Sequence, residues 1–230
     1  MGIGHVAVAL GASRAAPRLN VGALVFAALL ADFLLGIFAS LGLEQAFVPD
    51  NYAAKHYLLF YFPYSHGFLA LAIWGVVLGF LASRAFDLDT KRIWLVVGAV
   101  VLSHYLLDGV VHIAGLPLLG EHSPKFGLGL WKIMPLELAV ETLMAAAGFI
   151  IYWKVSVQAG SAAGRYGMAI FVLLFTAMTW SQLALTTPPE AKQLEVSWIV
   201  VPLVLSAIAY GLDHSRARSV NFASNQVPNP

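Results

Sequence analysis

The sequence contains no cysteine and few charged residues, and each shortage excludes a class of protein. Without cysteine there are no disulfides, no iron–sulfur clusters, no cysteine nucleophile and no thiolate-bound zinc, so a metal would need histidine and carboxylate ligands. Charged residues make up 11% of the 230 residues, whereas soluble domains carry about 25%. Hydrophobic residues make up 60%, and the formal net charge of +1 gives no indication of a nucleic-acid partner. The composition therefore predicts an integral membrane protein.

Six stretches are long and apolar enough to cross the roughly 30 Å hydrocarbon core of a bilayer as helices. They cover residues 19–43, 65–83, 93–114, 135–153, 167–185 and 196–212. A further apolar stretch at residues 3–13 is too short to cross, and we expect it to form a retained re-entrant or interfacial helix. The predicted fold is an all-α membrane helical bundle with a single domain at residues 1–214. A disordered cytoplasmic tail, rich in Asn, Ser and Pro, is expected at residues 215–230.

The basic residues divide unequally between the connections that these spans would leave on the two sides of a membrane. One side carries nine, at Arg14, Arg18, Arg84, Lys91, Arg92, Lys154, Arg165, Arg216 and Arg218. The other side carries four, at Lys55, Lys125, Lys132 and Lys192. Because cytoplasmic loops carry an excess of Lys and Arg, this distribution predicts that both termini lie in the cytoplasm.

Three polar residues share one face of the third predicted span. His104, Asp108 and His112 are spaced i, i+4 and i+8, which makes a stripe about 12 Å long on a helix. Placing each of them in a bilayer costs on the order of 3 kcal/mol. Three such residues in register indicate that the protein uses them.

Polar residues of three other spans reach similar depths. Counting about 1.5 Å per residue from the outer boundary puts Asp32, His66, Glu137 and Glu141 in the outer half of the membrane with the stripe. Any one of them alone could simply hydrogen-bond to a neighbouring helix. Several costly groups at one level call for a common explanation, and a shared cation supplies one.

The remaining histidines are weaker candidates. His56 and His122 lie in predicted loops and are expected to be solvated. His214 is interpreted as a polar stop at a helix end. The role of His5 stays open, because a re-entrant segment could carry it inward.

Imidazole and carboxylate ligands suit Zn²⁺, Mn²⁺ or Fe²⁺ with coordination positions left for water, and Zn²⁺ is the expected ion. The expected ligands are Asp32, His66, His104 and Asp108. Either aspartate could instead orient a histidine ligand. His112 could bind a second metal ion or an anionic headgroup, and Glu141 or Glu137 could serve as the catalytic base or acid.

Two motifs resemble those of a known family. The Tyr-Ser-His motif ending at His66 and the Ser-His-x-x-x-Asp motif of His104 and Asp108 are similar to motifs of the YdjM-like bacterial inner-membrane metal-dependent hydrolases. The resemblance covers roughly residues 31–141 and includes Asp32. It implies a multi-pass inner-membrane protein, a hydrolytic reaction and metal binding by these four side chains. Many members carry a second acid or a histidine in the first motif, whereas Asp32 stands alone, so the number of ions stays open.

Four functions are compatible with this cluster. The first is hydrolysis of a lipid or lipid-linked ester or phosphoester from the extracytoplasmic side, with membrane lipid as the partner. The second is a b-type cytochrome with haem between His66 and either His104 or His112. The third is a proton-coupled carrier that uses the same residues, although no matching polar residues are evident in the cytoplasmic half. The fourth is a structural scaffold in which the cluster only fixes helix packing. The substrate and the oligomeric state stay open, as does whether the Gly75-x-x-x-Gly79 pair serves contacts inside or between subunits.

Overall fold

The computed structural model describes residues 2–86, 90–157 and 161–225, which form an all-α bundle, as the sequence predicts. Its helices are α1 (Ile3–Ala12), α2 (Val21–Ala28), α3 (Leu30–Ser40), α4 (Tyr52–Lys55), α5 (Phe68–Ala85), α6 (Thr90–Val111), α7 (Met134–Val157), α8 (Ala162–Trp180) and α9 (Ala191–Asn225). Two antiparallel hairpins pair β1 (Gln45–Phe47) with β2 (Leu59–Tyr61) and β3 (Ile113–Pro117) with β4 (Lys125–Leu128). Short 3₁₀ helices cover Leu130–Ile133 and Ser181–Ala184.

Among the described residues, α5 to α9 are each long and apolar enough to cross a membrane. They turn large apolar side chains such as Leu143 and Leu173 outward, as a lipid-facing surface requires. The predicted first span is not one continuous helix, because α2 and α3 meet at an angle of 50°. The chain is therefore a multi-pass membrane protein with five spans, or six when the bent pair is counted as one.

The centre of the bundle is filled by α1 and α2. Val6, Leu10, Leu24 and Val25 have no exposed surface. A helix that is apolar on every side is expected to be buried, and both helices follow this rule. The short first helix therefore lies inside the bundle and not at its surface. Its N-cap residue, Gly2, donates a hydrogen bond to Glu141 of α7.

The bend between α2 and α3 has a side chain inserted beside it. The Ala28 carbonyl, at the last residue of α2, accepts a hydrogen bond from Nδ1 of His104 at 2.8 Å. Leu29 then takes φ −102° and ψ 9°, outside the helical range. Side chains that insert into the helical hydrogen-bond ladder are a known cause of sharp bends. The bend leaves Asp32 in the first turn of α3, next to His104.

The carboxyl-terminal helix is longer than expected. The predicted disordered tail begins at residue 215, but α9 continues to Asn225, and residues 226–230 lie outside the described residues. The buried Arg216 explains the difference, because its guanidinium makes two 2.6 Å bonds to Asp213 and a 2.8 Å bond to the Leu19 carbonyl. Asp213 also accepts from the Val21 amide at the start of α2. Asp213 and Arg216 thus attach the end of α9 to α2 instead of ending the helix.

The glycine pair of α5 serves a contact inside the chain. A Cβ on Gly75 would lie 3.1 Å from the Gly98 carbonyl oxygen, and one on Gly79 would lie 2.7 Å from the Trp94 carbonyl oxygen. Both partners belong to α6. Small residues let the α5 and α6 backbones approach closely. The Gly75-x-x-x-Gly79 pair therefore serves a contact inside one subunit.

Candidate metal centre

The four predicted ligands come together at the end of the bundle where α5 begins and α6 ends. Nε2 of His66 and Nε2 of His104 are 3.2 Å apart. Oδ2 of Asp108 lies 3.3 Å from the His104 nitrogen and 3.7 Å from that of His66, and Oδ1 of Asp32 lies 3.7 Å from the His66 nitrogen. Ligand atoms around a tetrahedral ion with bonds of about 2.0–2.1 Å are about 3.3 Å apart. The His66–His104 and His104–Asp108 distances are close to that value, and Asp32, His66 and His104 form a group whose ligand atoms all lie within 4.8 Å of one another, so the cluster could hold a small cation.

The cluster is closed on all sides but one. His66, His104 and Asp108 are almost fully buried, whereas the Asp32 side chain is 28% exposed. Asp32 also lines a cavity described below, so the exposed edge of the cluster faces that cavity.

The partner of Nδ1 fixes the tautomer of His104. A carbonyl oxygen only accepts hydrogen bonds, so the Nδ1 that contacts Ala28 carries the hydrogen. In the neutral ring, Nε2 then presents its lone pair to the cluster. The bend between α2 and α3 thus orients a candidate metal ligand on a different helix.

A buried carboxylate orients His66 in a similar way. Ser65 Oγ donates to Oε2 of Glu44 at 2.6 Å and accepts from Nδ1 of His66 at 2.7 Å. Oε1 of Glu44 accepts from the amides of Tyr64 and Ser65. Burial raises the pKa of Glu44, and the hydrogen bonds from Ser65 and Tyr64 oppose that shift. Burial also lowers the pKa of His66 to about 4, so its imidazole is neutral and able to bind a cation.

No pattern in the sequence singles out Glu44. It lies 21 residues before Ser65, in a polar and aromatic connection that carries no recognisable spacing. The β1–β2 hairpin brings it back to the start of α5, because Gln45 pairs with Tyr61. The fold alone creates this contact.

The open question about His5 is answered by α1. Nε2 of His5 lies 3.1 Å from Oδ1 of Asp108, and its ring stacks on that of His104 with centroids 3.7 Å apart. His5, His104 and Asp108 form a second group whose ligand atoms all lie within 4.8 Å of one another. The only sequence feature that pointed to His5 is that it is a lone histidine in an apolar segment too short to cross a membrane.

His112 directly follows α6 and is buried beside the cluster. Its Nε2 lies 3.2 Å from Oδ2 of Asp108, and its ring contacts Trp131 with centroids 4.0 Å apart. The two hairpins and the 3₁₀ helix fold over this end of α6 and cover it. His112 therefore faces Asp108 and has no access to a lipid headgroup.

The two glutamates of α7 have different roles. Glu141 accepts hydrogen bonds from the amides of Gly2 and Gly4 at 3.0–3.1 Å, so it caps the start of α1. Glu137, one turn earlier, is also buried. Apart from the adjacent Glu141 carboxyl, it has no hydrogen-bond partner among the described residues. Of the two predicted catalytic residues, only Glu137 is available to a ligand.

A cavity of about 340 Å³ joins the glutamates to the cluster. Its lining residues are Gly2, Leu29, Asp32, Trp131, Glu137, Glu141, Phe175, Met178, Thr179, Gln182, Ser197, Trp198, Val201, Pro202 and Leu205. The carboxylates of Asp32, Glu137 and Glu141 give the cavity its charge, and apolar side chains of α8 and α9 make up half of the other lining residues. Such a cavity suits an amphiphilic ligand.

Comparisons with protein-family models, with curated proteins and with solved structures found no significant match. The fold and the cluster nevertheless define a class. The chain is a multi-pass membrane protein with a buried group of His and Asp side chains that could hold a metal ion.

Proposed function

We propose that the protein is a membrane-embedded, metal-dependent hydrolase that cleaves an ester or phosphoester linkage of a lipid or lipid-linked molecule from the extracytoplasmic side. One observation carries the proposal. The His and Asp side chains that suit a cation converge, and their exposed edge, Asp32, opens into an amphiphilic cavity that Glu137 also lines.

Asp32, His66, His104 and Asp108 would hold the ion. Asp32, His66 and His104 form one group of close ligand atoms, and Asp108 approaches His104 and His66 from the other side. Imidazole nitrogens and carboxylate oxygens suit Zn²⁺. A divalent ion there would supply a water of lowered pKa and polarise the oxygen of the scissile bond. The chain's contribution is to hold the donor atoms in place. Ala28 orients His104, and Ser65 with Glu44 orients His66.

Glu137 is the residue that moves a proton. Its carboxyl lines the cavity beside Asp32, and no backbone amide occupies its oxygens among the described residues. A carboxyl in such a position takes a proton from the attacking water and returns it to the leaving group. Glu141 holds the start of α1 and acts as a positioning residue.

We further propose that the protein belongs with the YdjM-like hydrolases and lies in the bacterial inner membrane. Arg92 donates to the Ala15 carbonyl and Arg216 to the Leu19 carbonyl, so basic residues gather at the end away from the cluster. By the positive-inside rule that end is cytoplasmic. Gly2 contacts Glu141 at the cluster end of the bundle. Of the two termini that were expected in the cytoplasm, the end of α9 therefore lies on the cytoplasmic side in this proposal, and the start of α1 lies on the opposite side.

The same contacts weigh against two alternatives. Nitrogens on opposite faces of a haem iron would be about 4 Å apart with a flat macrocycle between them, whereas those of His66 and His104 are 3.2 Å apart. A proton carrier needs a second polar group toward the other side. The buried pair of Asp213 and Arg216 lies there, but it is satisfied by its own hydrogen bonds.

Elemental analysis of the detergent-purified protein tests the proposal. We expect stoichiometric transition metal in the wild type and its loss in a His104→Ala, Asp108→Ala double variant. A double variant of exposed residues, Asp50→Ala with His122→Ala, is the matched control and should keep its metal. Metal-free wild-type protein of unchanged stability would refute the proposal.

Glu137→Gln tests the reaction separately. The variant should keep its metal but hydrolyse a chromogenic ester about 100-fold more slowly or worse, because the proton-transfer group is lost. Unchanged turnover would remove Glu137 from the reaction.

A further inference from the structure

The cavity opens toward the lipid and not only toward water. Met178 of α8 and Val201 of α9 both line it, and they are 53% and 37% exposed on the apolar outer surface of the bundle. Pro202, also in the lining, lies inside α9, where its missing amide interrupts the helical hydrogen-bond ladder. An amphiphile could therefore enter between α8 and α9 without leaving the bilayer.

The inner end of the cavity is acidic. Asp32, Glu137 and Glu141 line it, and none of the described lining residues is Lys or Arg. Asp32 and Asp108 would balance the two charges of one divalent ion. The adjacent carboxyls of Glu137 and Glu141 share a proton and would add one further negative charge at this end. Phosphate sites in proteins rely on Arg or Lys, and carboxylates repel an anionic linkage.

The size of the cavity limits the number of chains. Its volume of about 340 Å³ is at the lower end of the roughly 300–1,000 Å³ typical of small-molecule sites. Its apolar length is formed by Phe175 and Met178 on one side and by Val201 and Leu205 on the other. This suits one acyl chain.

We propose, on the basis of the hydrolase function above, that the substrate is an uncharged carboxylic ester of a single acyl chain. The chain lies between α8 and α9, and the ester group lies against Asp32 and Glu137. Water adds its oxygen to the acyl carbon and the acyl carbon–oxygen bond breaks. Glu137 takes the proton from water and delivers it to the departing alcohol, so the products are a fatty acid and an alcohol.

Quenching of tryptophan fluorescence tests the binding step, because Trp131 and Trp198 line the cavity. The probes are dibromostearoyl glycerol, which is neutral, and dibromostearoyl glycerol phosphate, which is anionic. We expect saturable quenching by the neutral probe that is lost when both tryptophans are replaced by phenylalanine. Equal or tighter binding of the anionic probe would overturn the assignment of an uncharged substrate.

A matched pair of variants on α9 tests the route of the chain. Val201→Phe fills the mouth of the cavity and should weaken binding of the neutral probe about tenfold. Leu203→Phe adds the same ring at an exposed position that does not line the cavity, and it should leave binding unchanged. Equal effects of the two substitutions would overturn the proposed route.

Product analysis separates failure of this inference from failure of the hydrolase. Release of dibromostearic acid from the neutral probe, abolished by a chelator, supports both proposals. Phosphate release from the anionic probe without acid release from the neutral one would overturn the substrate class and keep the hydrolase. Selective quenching with no product from either probe would overturn the hydrolase and leave a binding site for a neutral lipid.

Discussion

Several buried polar residues of this membrane protein are held by a specific partner. His104 donates to a carbonyl at a helix bend, His66 to a serine that is itself held by Glu44, and Arg216 to Asp213. In a low-dielectric interior an unpaired polar group is costly, so these contacts decide which ring nitrogen or oxygen faces inward. Residue-scale predictions therefore follow from removing one partner at a time.

Removing the carboxylate that holds Ser65 should weaken metal binding. We expect Glu44→Gln to lower metal affinity about 10–100-fold, because groups that orient a ligand from the outer shell have effects of that size. Metal affinity is measured by competition with a chromogenic chelator. Glu44→Asp should recover part of the affinity, and the surface substitution Glu121→Gln should have no effect. Equal affinity in Glu44→Gln and the wild type would exclude the positioning role.

Breaking the buried ion pair at the other end of the bundle should affect stability. Arg216→Met leaves Asp213 buried without its cation, and such a loss costs about 3–5 kcal/mol. The measurement is the free energy of unfolding in mixed micelles. Arg218 lies two residues further along α9 and is exposed, so Arg218→Met is the control and should change the free energy of unfolding very little. A comparable loss in the control would show that charge, and not the buried pair, matters.

At the scale of elements, the short helices build the site and the long helices enclose it. α1 carries His5 to Asp108, and the bend between α2 and α3 delivers Asp32. α1 lies so close to α7 that a Cβ on Gly148 would be 2.3 Å from the Ala7 carbonyl oxygen. Because the obstructing atom belongs to the backbone, one helix must move to accommodate any larger residue.

A methyl group at the contact between α1 and α7 should disturb both fold and site. Gly148→Ala is expected to destabilise the protein by about 1–3 kcal/mol through overpacking, despite the better helix propensity of alanine. It should also lower metal affinity, since α1 carries His5. Gly211→Ala is the matched control, because a Cβ there meets nothing within 4 Å. Stability is measured by thermal unfolding and metal affinity by chelator competition. Equal values for Gly148→Ala and Gly211→Ala would contradict the packing argument.

At the scale of the whole molecule, the proposed cation would join segments that are distant in sequence. Its ligands come from α3, from His66 just before α5, and from α6. His5 of α1 stacks on the ring of His104. A ligand that binds only the folded state stabilises it in proportion to the logarithm of its concentration relative to Kd. The cluster is thus a structural junction as well as a candidate catalytic centre.

Metal removal should therefore lower the melting temperature of the wild type. Without an ion, the carboxylates of Asp32 and Asp108 would lose the cation that the site is proposed to hold. The comparison is thermal unfolding in detergent with and without a chelator. The His104→Ala, Asp108→Ala variant should show no chelator effect, and an equal shift in that variant would contradict the argument.

The sequence alone determined the membrane bundle and named the residues of the cluster. Long apolar stretches cross a bilayer whatever their neighbours are, and polar residues inside them are costly enough to stand out. Spacing within one helix was sufficient to align His104 with Asp108, because helix geometry is local.

Only the tertiary structure decided which polar groups come together where they could hold an ion, which ones support them and which cap a helix. Glu44 reaches Ser65 through a hairpin, Glu141 holds α1, and His5 enters from a helix too short to span. The break before Asp32 and the continuation of α9 past Arg216 also depend on contacts between distant segments. Such contacts have no local periodicity, because their energy comes from satisfying buried hydrogen bonds across the fold.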